Sequence, residues 1–208
     1  MRADLYSRGG KRALDVVASA TGLIVLSPLL AAVALVLVVF DPGPVFFRQT
    51  RVGLGFAPFR LFKFRTMHAA ADRGGAQVTA GGDARVTAVG RVLRRTKLDE
   101  LPQLFNVLAG EMSLVGPRPE VPKYVELFRS DYRDVLSVRP GITDFAAIEY
   151  RDEEAVLAAY PDPEKAYIEA VLPAKIVLYR RYLGEIGLGT DLKIIWKTLA
   201  KVARFGVV

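Results

Sequence analysis

The string RRTKLDELPQL, residues 94–104, sets three cations, Arg94, Arg95 and Lys97, just before two adjacent carboxylates, Asp99 and Glu100. A solvated helix face would space opposite charges three or four residues apart. Here LDELPQLFNVLAGE carries Leu101, Leu104, Phe105 and Leu108 at helical spacing, and Gly110 offers a stop. Pro102 is tolerated only in a first turn. The spacing therefore predicts a helix that starts near Leu98 or Asp99 and holds both carboxylates at its N-terminus, where free N–H groups favour ionised acids and bound anions. An ionised aspartate in a cationic pocket is a nucleophile toward phosphorus, and a second carboxylate beside it can hold Mg²⁺. Plain helix capping by two acids would give the same pattern.

Other segments offer phosphate-binding groups. In FRLFKFRTM, period-two alternation puts Leu61, Lys63 and Arg65 on one face and Phe62 and Phe64 on the other. Two cations side by side could grip a phosphate or lie on a solvated edge. GPRPE, 116–120, holds Arg118 on a loop stiffened by two prolines and suited to bidentate contact. VRPGIT, 138–143, is a second turn, with Arg139; a merely rigid turn would explain either. Composition restricts the alternatives. The chain has no cysteine and a single histidine, His68, which excludes a thiolate nucleophile, a disulfide framework and a Cys- or His-rich metal centre. Carboxylates, Lys and Arg must carry the chemistry.

The elements that position these groups read as an α/β chain, mostly α with few short strands. PGPVFFRQTRVG and FRLFKFRTM form two strands joined by the turn GLGFAP. Residues 69–85, rich in Ala, Gly and Asp, read as a mobile loop or lid. At 208 residues the chain suits one functional unit in three parts: a membrane segment over 1–41, a catalytic part over 42–172 and interfacial helices over 173–208.

The membrane segment is the strongest signal. From Val16 to Phe40 there are 25 consecutive uncharged residues, roughly 37 Å of helix against about 30 Å of hydrocarbon. No small-residue cleavage site follows, so a signal peptide fits poorly. Ser27-Pro28 interrupts the run, and proline removes one backbone hydrogen bond. A kinked spanning helix and a re-entrant helix–break–helix are both open; Lys/Arg on both flanks, Lys11 and Arg12 before and Arg48 and Arg51 after, favour re-entry from the cytoplasmic side. DLKIIWKTLAKVARF repeats Leu192, Ile195, Trp196, Leu199 and Val202 beside a Lys/Arg stripe, as an interfacial helix does. Charge agrees: +6 over residues 1–65 (nine cations, three acids), +5 over 173–208 (seven, two) and −4 between (13, 17). Two basic ends suit an anionic lipid surface; nucleic acid is disfavoured, since the chain has a hydrophobic anchor and no nucleic-acid motif.

Taken in order, KRALDVVASATGLIVLSPLLA, PGPVFFRQTRVG, FRLFKFRTM, VGRVLRRTKLDELPQLFNVLAGEMSLVGPRPE and VRPGITDFA resemble the bacterial sugar transferase family, the monotopic polyprenyl-phosphate phosphoglycosyl transferases. The resemblance implies transfer of a phospho-sugar from a UDP-sugar to polyprenyl (undecaprenyl) phosphate with release of UMP, at the cytoplasmic face of the bacterial inner membrane. It implies Asp99 and Glu100 as a Mg²⁺-dependent catalytic dyad, a phospho-sugar ester on Asp99, and a re-entrant anchor broken at Ser27-Pro28. Lys63, Arg65, Arg94, Arg95, Arg118 and Arg139 are then assigned to substrate phosphates. The chain looks like the family's minimal catalytic unit, a starter of surface glycans. DFAAIEYRDEE departs from a Gly followed by a Gln-Val-Asn-Gly-Arg-like run in many relatives, which puts nucleotide or sugar specificity inferred from them in doubt. The alternative of a different class is a non-enzymatic module that recruits partners to the membrane surface; a Mg²⁺ phosphatase using the same aspartate is a third.

Overall fold

Thirty residues, Lys11–Phe40, form helix α1 in the computed structural model, which describes residues 6–68 and 78–205. A short π-helical turn, Tyr6–Gly10, leads into it. Ser27-Pro28, the expected break, lies inside α1, whose helical hydrogen bonding continues on both sides of it. Proline cannot donate to the carbonyl four residues back, Ile24, and the Ser27 hydroxyl donates to that same carbonyl at 2.8 Å. The serine thus satisfies the group that the proline orphans, and the helix continues. Length and composition would let α1 cross a membrane; Ile24, Val25, Leu35 and Phe40 lie exposed along it.

Both ends of α1 rest on the rest of the chain. At its start, Arg12 donates to the carbonyls of Val107 and Leu108 at 2.6 and 2.9 Å. Asp15 is buried and accepts from Ser113 Oγ and the Leu114 N–H, while Lys11 pairs with buried Asp191. At its end, Val33 and Leu37 pack with Phe64 and Leu93, and Arg65 pairs with Asp41.

The predicted hairpin forms: β1 (Phe46–Val52) and β2 (Pro58–Phe64) are antiparallel, from Phe46 opposite Phe64 to Val52 opposite Pro58. Their link is a 3₁₀ turn, Leu54–Phe56, with Gly55 at φ 61°. Phe64 stacks on Phe46, and Leu61 enters a core with Val107 and Met112. Helix α2, Ala88–Thr96, is capped by Thr87, whose hydroxyl accepts from the Gly90 N–H at 2.9 Å. Gly90 is obligatory by contact: a Cβ there would lie 2.0 Å from the Thr66 carbonyl oxygen. Lys97 ends α2 in the left-handed conformation, φ 58°, and reverses the chain into a 3₁₀ turn, Leu98–Glu100. Helix α3 follows at Gln103–Ala109, with Pro102 as its N-cap. The helix expected from Leu98 or Asp99 therefore begins later, and the two acids precede it, because the turn at Lys97 spends the next three residues on i→i+3 geometry.

A short parallel pair, β3 (Ser113–Val115) and β4 (Gly141–Thr143), brackets the GPRPE loop. Helices α4 (Pro122–Leu127), α5 (Arg129–Val135), α6 (Phe145–Glu149), α7 (Glu153–Ala158), α8 (Pro163–Ala166) and α9 (Leu172–Gly184) surround a core of Tyr124, Tyr132, Leu157, Leu172 and Tyr179. Helix α10, Leu188–Phe205, buries Ile194 while Leu192, Trp196 and Leu199 remain exposed. The molecule is α/β, mostly helical with few short strands.

Candidate active site

Asp99 and Glu100 line a cavity of about 1180 Å³ together with Lys63, Arg94, Arg95 and Arg118. The local fold explains the convergence. β2 carries Lys63, the left-handed Lys97 swings the acidic turn back toward it, and the Pro-stiffened loop after β3 brings Arg118.

The two acids are unlike. Glu100 accepts from Lys63 Nζ at 3.1 Å on Oε1, from Arg118 Nη1 at 3.0 Å on Oε2, and from Arg118 Nη2 on Oε1. Burial would raise its pKa, but Arg118 first and Lys63 next outweigh that and hold the carboxyl well below the usual range. Burial lowers the pKa of Lys63, with Glu100 opposing. Asp99 is 6% exposed, and its Oδ1 is buried with no hydrogen-bond partner. Burial raises its pKa to about 6, Lys63 pulling it down and Glu100 pushing it up. One acid is locked and ionised; its neighbour is left open.

Mg²⁺ takes one or two carboxylates and fills its octahedron with water and substrate phosphates. Among the described residues no three His, Cys, Asp or Glu groups gather to hold a metal alone. The orphaned Oδ1 of Asp99 fits such a one-carboxylate ligand. Glu100, already accepting three donors, fits the role of anchor for two cations better than that of metal ligand.

The remaining cations divide. Arg94 donates Nε to Thr66 Oγ1 at 2.8 Å and Nη1 to Glu154 at 2.6 Å. Arg95 lines the cavity, and its carbonyl accepts from Arg151 at 3.2 Å. Arg65 touches the cavity wall, yet its buried guanidinium turns to Asp41 and the carbonyls of Asp41 and Pro42, fixing the exit of α1. Arg139 lies outside the cavity lining: its Nε donates to the Gly110 carbonyl at 2.8 Å and closes the C-terminus of α3. Of the loop expected over 69–85, residues 69–77 fall outside the described ones, and 78–83 and 85 line the cavity.

Sequence reasoning missed a second polar network on the same wall. Arg51 donates to Glu120 at 3.0 Å, and Lys175 donates to Glu153 at 2.7 Å and to the Tyr167 hydroxyl at 3.4 Å. Its one visible signal was Lys175, a single cation inside the apolar string LPAKIVLY.

A family model described as "Bacterial sugar transferase" matches residues 6–205. The chain belongs to the bacterial sugar transferase family. It is 39% identical over 197 residues to the UDP-N-acetylgalactosamine-undecaprenyl-phosphate N-acetylgalactosaminephosphotransferase of Aeromonas hydrophila, covering 92% of this chain and 43% of that protein. It is 48% identical over 141 residues to the UDP-glucose:undecaprenyl-phosphate glucose-1-phosphate transferase of Caulobacter vibrioides, covering 66% of this chain and 53% of that one. Against the exopolysaccharide production protein PSS of Rhizobium leguminosarum bv. phaseoli, identity is 37% over 197 residues, with 91% and 92% covered. This sugar transferase chain thus spans about half or less of the first two relatives, and nearly all of the third.

Proposed function

We propose that this chain transfers a phospho-sugar from a UDP-sugar to polyprenyl phosphate, releasing UMP and leaving a polyprenyl-diphosphate-linked sugar, through a phospho-sugar ester on Asp99. The observation that carries the reading is the asymmetry of the dyad: an open, buried Asp99 carboxyl beside a Glu100 that fixes Lys63 and Arg118. The names of the relatives, which pair UDP-sugars with undecaprenyl phosphate, support the two substrates.

Ionised Asp99 attacks the phosphorus that bears the sugar; the bond to UMP breaks and UMP leaves with the electron pair. An oxygen of polyprenyl phosphate then attacks the same phosphorus and Asp99 departs, so the course is ping-pong. Lys63 and Arg118, held by Glu100, and Arg94 and Arg95 on the same wall offset charge on the phosphates. When bound, Mg²⁺ would screen the phosphate that approaches Asp99, with Asp99 as its protein ligand.

The acceptor's chain lies in lipid, so the site must sit at the bilayer edge. A re-entrant course for α1 on the cytoplasmic face of the inner membrane is supported by its two ends, which both rest on the catalytic body. The exposed Leu192, Trp196 and Leu199 of α10 support contact with the interface. Purified chain with Mg²⁺, polyprenyl phosphate and a panel of UDP-sugars is expected to release UMP with one of them. Silence from every donor, with the folded chain bound to lipid, would leave the recruitment-module reading instead.

A further inference from the structure

Glu100 and Glu154 each hold a cation on the cavity wall, and they differ in enclosure. Glu100 is gripped by Lys63 and by both Nη groups of Arg118. Glu154, from the first turn of α7, is 47% exposed at its side chain and makes one contact of 2.6 Å with Arg94 Nη1. Arg94 does not depend on that contact for its direction. It issues from α2, and its Nε donates to Thr66 Oγ1, itself buried, at 2.8 Å. The backbone at 154 is likewise fixed, its carbonyl accepting from the Gly81 N–H at 2.9 Å. The exchangeable component is the Glu154 carboxylate alone.

Resting on the phosphate-binding reading of Arg94, we propose that Glu154 occupies the place of a substrate phosphate on Arg94, and that the diphosphate of the nucleotide donor displaces it. Carboxylate and phosphate oxygens present the same acceptor chemistry to a guanidinium, and the diphosphate carries more charge. A half-exposed ion pair holds its partners by a factor of only about two to five. The competition therefore reduces donor affinity by about that factor, as any binding site does when only part of its population is competent. Until a donor arrives, the arrangement keeps Arg94 neutralised inside a cavity already rich in cations. Glu100, enclosed and bound on both oxygens, takes no part in this exchange.

The test is calorimetric titration of UDP into the full chain in lipid nanodiscs at fixed ionic strength. Glu154→Gln and Glu154→Ala are each expected to tighten UDP binding about two- to five-fold. Arg94→Gln is expected to weaken it, and adding Glu154→Gln to Arg94→Gln should change nothing further. If Arg94→Gln weakens binding but neither Glu154 variant tightens it, the proposal falls and the phosphate role of Arg94 stands. Tightening that persists without Arg94 reflects general charge and also overturns it. If Arg94→Gln leaves UDP binding intact, the phosphate reading of Arg94 fails and the proposal fails with it.

Discussion

Burying Asp99 while leaving it open has a cost that shows in pH dependence. Its folded pKa of about 6 lies above the ordinary carboxylate value, so the folded state binds the proton more tightly than the unfolded chain does. That contribution to stability is present below about pH 4 and is lost as pH rises through 6, on the order of 3 kcal/mol in all. Asp99→Asn, which cannot ionise, is expected to raise the thermal midpoint relative to the parent chain at pH 8 and not at pH 4, while abolishing UMP release. Equal midpoints at both pH values would show that the carboxyl is not desolvated. Turnover by the parent chain should fall as pH drops through about 6, when Asp99, the proposed nucleophile, takes up its proton. Arg118→Lys is expected to lose at least ten-fold in kcat/KM, because lysine cannot make the two-pronged contact with Glu100; unchanged kinetics would show that one point charge suffices. The dyad was legible because its residues adjoin. Its partners were not, since Lys63 stands 37 residues before Glu100 and Arg118 18 after it, and a strand face or a stiff turn does not announce what it will meet. Arg139 shows the converse: a cation in a suggestive turn went to the carbonyl of Gly110, the residue that caps α3.

At the scale of elements, α1, α3, α10 and the β1–β2 hairpin followed from periodicity, whereas the start of α3 and the short elements α2, β3, β4 and α4–α8 did not. Leu101 has the helical spacing, but the left-handed Lys97 leaves Leu98–Glu100 in a tighter turn. The orientation of that turn depends on α2 lying directly against residue 66. Gly90→Ala would place a Cβ 2.0 Å from the Thr66 carbonyl oxygen, and it is expected to destabilise the fold by a few kcal/mol and to reduce activity, read by thermal unfolding and UMP release; normal stability would mean α2 can slide away. Ser27-Pro28 was legible as a disturbance, but its local resolution was not: the serine hydroxyl takes up the Ile24 carbonyl that Pro28 leaves without a donor, so helix persists on both sides of the proline. A re-entrant α1 predicts that cysteines placed at exposed positions 9 and 54, on either side of it, are both labelled from the cytoplasmic face alone. Labelling from opposite faces would mean that α1 spans.

For the whole molecule, the proposed reaction requires a soluble polyanion and a lipid-borne phosphate to reach one cavity, and the exposed apolar surfaces of α1 and α10 fit a body seated in the bilayer edge. Trp196 is the single tryptophan and is 72% exposed, so its fluorescence reports on that seat. Reconstitution into vesicles should shift its emission to the blue and make it quenchable by shallow brominated lipids; an unshifted, unquenched emission would take α10 off the membrane. The most direct test of the account is the intact mass of the chain after mixing with its UDP-sugar and Mg²⁺ in the absence of polyprenyl phosphate. One added phospho-sugar is expected, located on Asp99, absent from Asp99→Asn and discharged when polyprenyl phosphate is added. UMP release with no added mass, or an adduct that survives in Asp99→Asn, would contradict it.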